Sequence, residues 1–121
     1  MIARPMILLV LFASASAAAQ PAAVTIQVQS FSYNPTPIHM KAGVPTTLTF
    51  VNAAGTGHDF TAKEFFANSR ISAGAAPQGE IDLKGHETKT ITLVPQAGTY
   101  HAHCSHFMHK QMGMETSIIV N

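Results

Sequence analysis

The sequence predicts an all-β sandwich or small barrel built as one domain. Three observations lead there: short runs in which apolar and polar residues alternate with period two, glycine- or proline-containing breaks between those runs, and a 121-residue length that supports a single core. Val24, Ile26 and Val28 alternate with Thr25, Gln27 and Gln29, the pattern of a half-buried strand. "SYNPTP" breaks it with two prolines. A second strand, Ile38 to Lys41, ends at "AGVP", and a third, Thr46 to Asn52, alternates Leu48 and Phe50 with threonines. From Ala53 to Gly79 the pattern loosens around Gly55, Gly57, Gly74, Pro77 and Gly79, with one helical turn expected over Lys63 to Asn68. Alternation returns in Glu80 to Leu83, Thr88 to Val94, Thr99 to His103 and Glu115 to Val120. Strands at this spacing form a sandwich or barrel. There is no internal repeat.

The first residues point to export. Arg4 supplies a positive region, Met6 to Ala13 ("MILLVLFA") an apolar one, and Ala17 to Ala19 a small-residue cleavage site, so residues 1–19 read as a secretory signal peptide and 20–121 as the mature domain. The form of the signal indicates the bacterial periplasm. The apolar run is too short for a membrane span, and no second run of about 18 apolar residues follows. Without Arg4, six Lys and Arg face six Asp and Glu, which leaves no basic patch for nucleic acid. Nothing in this balance calls for more than a monomer.

A lone Cys104 cannot form an intramolecular disulfide. In an oxidising compartment it needs burial or a bound metal. Its surroundings, "YHAHCSHFMHKQMGM" from Tyr100 to Met114, hold four of the seven histidines and three of the six methionines. On a strand, Tyr100, Ala102 and Cys104 share one face and His101 and His103 the other. A metal site on Cys104 must therefore take its further ligands from the loop after it. That loop offers Cys104-x4-His109-x4-Met114, with His106, Met108 and Met112 as competitors. The best upstream ligand is His58 in "GHDF"; His39 and His86 are weaker choices beside turns. Two imidazoles, a thiolate and a thioether suit copper in both oxidation states. Zinc accepts nitrogen and sulfur too, but its structural sites rarely use Met and usually use several Cys.

Over essentially all of the mature length the chain resembles the cupredoxins, the small blue-copper proteins. The resemblance rests on "KAGVPTTLTFVN", "GHDF", "GTYHAHC" and "CSHFMHKQMGM". It implies an eight-stranded Greek-key β-sandwich with one type 1 copper near one end, held by His58, Cys104, His109 and Met114. The Cys-x4-His-x4-Met loop is similar to that of multicopper oxidases and several stand-alone bacterial cupredoxins. Two departures set the oxidases aside: Ser105 stands where they carry a second histidine beside the cysteine, and the single domain lacks the His-x-His pairs of a trinuclear cluster.

The resemblance implies a one-electron carrier and not an enzyme, with a redox protein as partner. Phe60, Phe107 and Met114 are expected to shield the copper, and the His109 edge to serve as the electron's exit. The alternative is copper homeostasis: buffering, resistance or delivery to a copper-accepting protein. The additional His101, His103, His106, Met108 and Met112 favour it, and His101, His103 and His106 offer a second, weaker copper site. The plain reading of those three histidines is exposed polar residues without a metal. A cupredoxin fold that has lost electron transfer and serves in binding or assembly is the third reading, disfavoured by retention of all four mapped ligands.

Overall fold

A computed structural model describes residues 2–3, 7–12, 20–106, 108–109 and 111–121. The signal-peptide markers Arg4, Met6, Ala13 and Ala17 to Ala19, and the expected shield Phe107, lie outside the described residues. Ile7 to Phe12, the described part of the apolar run, is exposed and forms neither helix nor strand. No helix among the described residues is long and apolar enough to cross a membrane.

Among the described residues ten strands form two five-stranded sheets. They are β1 (Ala22–Gln29), β2 (Ser32–Asn34), β3 (Ile38–Met40), β4 (Thr46–Asn52), β5 (His58–Thr61), β6 (Arg70–Ala73), β7 (Glu80–Leu83), β8 (Thr88–Val94), β9 (Gly98–His103) and β10 (Glu115–Val120). One sheet runs β2-β1-β4-β8-β6 and the other β3-β10-β9-β5-β7, with β1/β4 and β3/β10 parallel and the remaining pairs antiparallel. Between β2 and β9 every connection passes from one sheet to the other, so the chain winds around a shared core as a β-sandwich does.

The alternating residues face that core. Ile26, Val28, Leu48, Phe50, Ile91 and Leu93 come from one sheet and Ile38, Leu83, Tyr100, Ala102, Ile118 and Val120 from the other, all buried. The expected helical turn is α1 (Lys63–Asn68), too short to stand on its own propensity and held by its buried Phe65 and Phe66. Phe66 packs edge-on to Phe60 at 6.2 Å and Phe65 to Tyr100 at 5.6 Å, so the helix closes one side of the sandwich.

Three strands were not legible as such. β2 has three residues next to the prolines and exists because Tyr33 pairs with Val28 across a tight hairpin. β6 is exposed along its whole length, an edge strand with an irregular register between Ile71 and Ala73. β5 is buried at all four positions, so it shows no alternation to read. These additions bring the count to ten where the resemblance implied eight.

Two loops that lead into β5 and out of β7 are fastened to each other. The buried Asn52 side chain donates to the carbonyls of Thr56 and Lys84, both at 2.9 Å, and accepts from the Ala54 N–H at 3.0 Å. Gly85 presses so close that a Cβ there would lie 2.3 Å from the Gly55 carbonyl oxygen. This clamp presents His58 at a defined height at the start of β5.

Candidate metal centre

His58 opens β5, opposite Leu83 of β7, and Cys104 follows directly on β9. Because β9 and β5 run antiparallel through the Thr61 and His103 pair, the end of one strand meets the start of the other. Tyr100, Ala102 and Cys104 are buried on one face of β9, whereas His101 is exposed and His103 half-buried on the other, as strand alternation requires.

The segment between Cys104 and Met114 is closed at its two ends. The Cys104 N–H donates to the Met114 carbonyl at 3.1 Å, extending the β9/β10 pairing by one bond. Inside the loop the His109 N–H donates to the His106 carbonyl at 3.1 Å, and the His109 carbonyl accepts from Met112 and Met114 at 3.2 and 3.0 Å. Three backbone bonds thus hold the residue whose ring turns inward. Gly113, at φ 94°, supplies a left-handed turn just before β10. Phe31 braces the His109 ring edge-on at 5.2 Å.

The ring nitrogens converge. His58 Nδ1 lies 3.2 Å from His109 Nδ1, and His109 Nδ1 lies 3.4 Å from Cys104 Sγ. The three donor atoms all fall within 4.8 Å of one another. His58 and Cys104 are each 1% exposed, and Met114 is fully buried where β10 begins. Met108 and Met112, the competing thioethers, are exposed. His39 is exposed on β3 and His86 in the Gly85 turn, neither grouped with the thiol. Such a convergence of nitrogen and sulfur lone pairs, with His58 and Cys104 shielded from solvent, fits the donor set expected of a copper ion.

A residue overlooked in the sequence is Asp59. It is fully buried, and its carboxylate accepts from the Ser105 N–H at 2.8 Å, the Ser105 hydroxyl, and the Thr61 hydroxyl at 2.9 Å. Its backbone N–H reaches Cys104 Sγ at 3.5 Å, and its carbonyl accepts from the Tyr33 hydroxyl. Asp59 therefore ties the His58 strand to the Cys104 loop. The only hint was a charged residue directly after the upstream histidine. His106 stands outside the trio, 3.6 Å from the Asp59 carboxylate, with its ring 6.2 Å from that of His58 and 5.3 Å from that of His109.

His101 and His103 stack at 5.4 Å, and His101 contacts Glu115 at 3.2 Å. Among the described residues, His101, His103 and His106 are not gathered into one donor group.

Burial pushes the Cys104 thiol up, as do the Asp59 and Glu80 carboxylates, while the N–H groups of Asp59 and His106 pull it back. Burial also pushes His58 down, helped by His109 and His106 and opposed by Asp59. These shifts give the metal-free protein a bounded stability window. Below the ordinary histidine value of 6.5 the unfolded chain takes up a proton that folded His58 refuses, so stability falls with acid. Above the ordinary thiol value of 9.0 the unfolded chain releases a proton that folded Cys104 retains, so stability falls again. Thermal midpoints of apoprotein from pH 5 to 10 are expected to show both limbs, with His58→Gln flattening the acid limb and Cys104→Ser the alkaline one. Unchanged limbs in both variants would refute the assignment.

Fold and site together define a β-sandwich domain that gathers two imidazoles and a thiol at one end. The chain belongs to the family of cupredoxin-like domains, whose model matches residues 2–120. Among solved structures it is similar to auracyanin B, at 19% identity over 89% of this chain and 95% of that one, with a TM-score of 0.59. It is similar also to the dithionite-reduced auracyanin of the photosynthetic bacterium Roseiflexus castenholzii, at 19% identity over 85% and 99%, with a TM-score of 0.63. A multicopper oxidase from Campylobacter jejuni superposes with a TM-score of 0.65 at 13% identity, over 93% of this chain and only 32% of the oxidase. Comparison with curated proteins found no match.

Proposed function

We propose that the chain is an exported copper protein that holds one type 1 copper through His58, Cys104, His109 and Met114 and serves as a one-electron carrier in the periplasm. The observation that carries this reading is the convergence of His58 Nδ1, His109 Nδ1 and Cys104 Sγ at one end of the sandwich, beside a buried Met114. Copper would supply the Cu(I)/Cu(II) couple. The chain's residues supply the rest: the fastened loops hold the donors in one arrangement for both oxidation states, and the Asp59 N–H stabilises negative charge on the sulfur. Phe60, fully buried two residues after His58 and packed on Tyr33, Phe50 and Phe66, would keep water out from the core side. His109, half-buried where His58, Cys104 and Met114 are fully covered, offers the edge through which a redox partner protein exchanges the electron.

The carrier reading treats the protein as no enzyme, because no bound substrate is transformed. Residues 1–19 would be removed on export, which the mass of protein recovered from a periplasmic extract checks: retention of 1–19 would exclude it.

Copper handling is the second reading, favoured by a second donor group, Asp59, Cys104 and His106, that shares the same sulfur. Titration of the purified protein with copper separates the two. A carrier saturates at one equivalent with an intense thiolate-to-copper band and exchanges electrons rapidly with its own reduced form. A handling protein gives up its copper readily to a chelator or an acceptor protein. No visible band at any copper concentration would end both readings.

A further inference from the structure

Three of the four donors assigned above cannot be reached from solvent. His58 and Cys104 are 1% exposed and Met114 is fully buried. A hydrated cation must shed its water in steps, because losing the whole shell before gaining any ligand is far more costly than exchanging one ligand at a time. A closed site therefore needs a donor that faces solvent and also lies within reach of the buried ones.

Among the assigned ligands only the half-buried His109 meets both conditions, and outside that set His106 meets them as well. Its side chain is 38% exposed, and its imidazole belongs to a donor trio with the Asp59 carboxylate and the Cys104 thiol whose ligand atoms all lie within 4.8 Å of one another. That trio shares Cys104 with the His58, Cys104 and His109 trio, so the two donor sets meet at one sulfur. The Asp59 carboxylate adds negative charge where an incoming cation first leaves water. The Ser105 N–H, the Ser105 hydroxyl and the Thr61 hydroxyl hold the Asp59 carboxylate in place, and one of its oxygens lies 3.6 Å from the His106 ring nitrogen.

We propose that Asp59, Cys104 and His106 form a transit site through which Cu(II) enters and leaves the buried centre. The proposal rests on the copper-binding reading above. His106 receives the ion at the surface and the buried Asp59 carboxylate beneath it takes up the next position, Cys104 loses its thiol proton to solvent as the copper–sulfur bond forms, and no electron is transferred. The two ring nitrogens of His58 and His109 then replace the His106 nitrogen and the Asp59 oxygen while Cys104 keeps hold. The passage runs inward because two imidazoles and a thiolate bind copper more strongly than a set containing a carboxylate. Release follows the same path in reverse, so His106 accelerates both directions and leaves the equilibrium alone.

The test is stopped-flow mixing of full-length apoprotein with Cu(II), following growth of the thiolate-to-copper band, and mixing of loaded protein with excess EDTA, following its loss. His106→Gln keeps a polar side chain of similar reach over the site but removes the imidazole; His106→Ala removes both. Loading and release are expected to slow by the same factor in both variants, on the order of 10-fold, with the final spectrum and copper affinity unchanged. Faster rates in His106→Ala alongside wild-type rates in His106→Gln would make the residue a mere cover and overturn the proposal. Unchanged rates in both variants would overturn it too, as would an altered spectrum and weakened affinity, which belong to a permanent ligand. Absence of the band in the wild type would instead bring down the copper site itself, and with it this inference.

Discussion

Cys104→Ser is expected to abolish the visible thiolate-to-copper band and to weaken copper binding by a factor on the order of 10²–10³. Four-ligand structural metal sites bind with roughly 10–16 kcal/mol in all, so the strongest of four donors carries a few kcal/mol. A serine hydroxyl stays protonated at neutral pH and is a hard donor, which removes both the charge and the softness that favour copper. The site is also where the substituted hydroxyl would have to find a partner. Cys104 is 1% exposed, and its sulfur meets long contacts from the Asp59 N–H at 3.5 Å and the His109 ring at 3.4 Å, beside the His106 N–H. Burial of a poorly satisfied hydroxyl costs about 1–3 kcal/mol, so urea unfolding of the apoprotein should show a modest loss. Chelator competition and visible absorption read the larger effect. A variant that kept the band would place the sulfur outside the metal site.

Asp59→Ala is expected to be the most destabilising single change near the centre. The substitution strands the Ser105 N–H and the buried Thr61 hydroxyl, which donate to the carboxylate at 2.8 and 2.9 Å. The buried Thr61 hydroxyl left without a partner costs about 1–3 kcal/mol, and the Ser105 N–H, on an exposed residue, adds less, beside the loss of the tie between strand and loop. The relief of a buried charge offsets part of that loss, so a total of about 2–5 kcal/mol is expected from denaturant unfolding. Asp59→Asn separates the two contributions: its carbonyl can still accept from Ser105 and Thr61, so it should stay within about 1 kcal/mol of wild type. Equal losses in the two variants would show that charge, and not hydrogen bonding, holds the His58 strand to the Cys104 loop.

Much of the fold was legible because most strands bury one face. Thr46 to Asn52, Glu80 to Leu83, Thr88 to Val94 and Glu115 to Val120 alternate in sequence and occupy those positions in the sandwich. Even α1 matched its expected span, since the run of polar and aromatic residues there has no competing strand pattern. β5 escaped because both its faces are covered, and β6 because neither is, so one-sided burial left no trace in either. β2 escaped because three residues beside prolines acquire strand geometry only from their partner.

The sequence by itself determined the composition of the centre: one thiol, a histidine-rich and methionine-rich loop of defined spacing behind it, and an upstream histidine beside a loop. Those properties are local, and local patterns survive in one dimension. Tertiary structure decided the rest. It placed His58 against His109 across 51 residues, buried Met114 while leaving Met108 and Met112 in solvent, and set Asp59 between the strand and the ligand loop. It also set His106 apart from His101 and His103 and beside the thiol. The physical reason is that donor convergence depends on which strand ends meet when two sheets pack, and that meeting is made by the core on the far side of each strand.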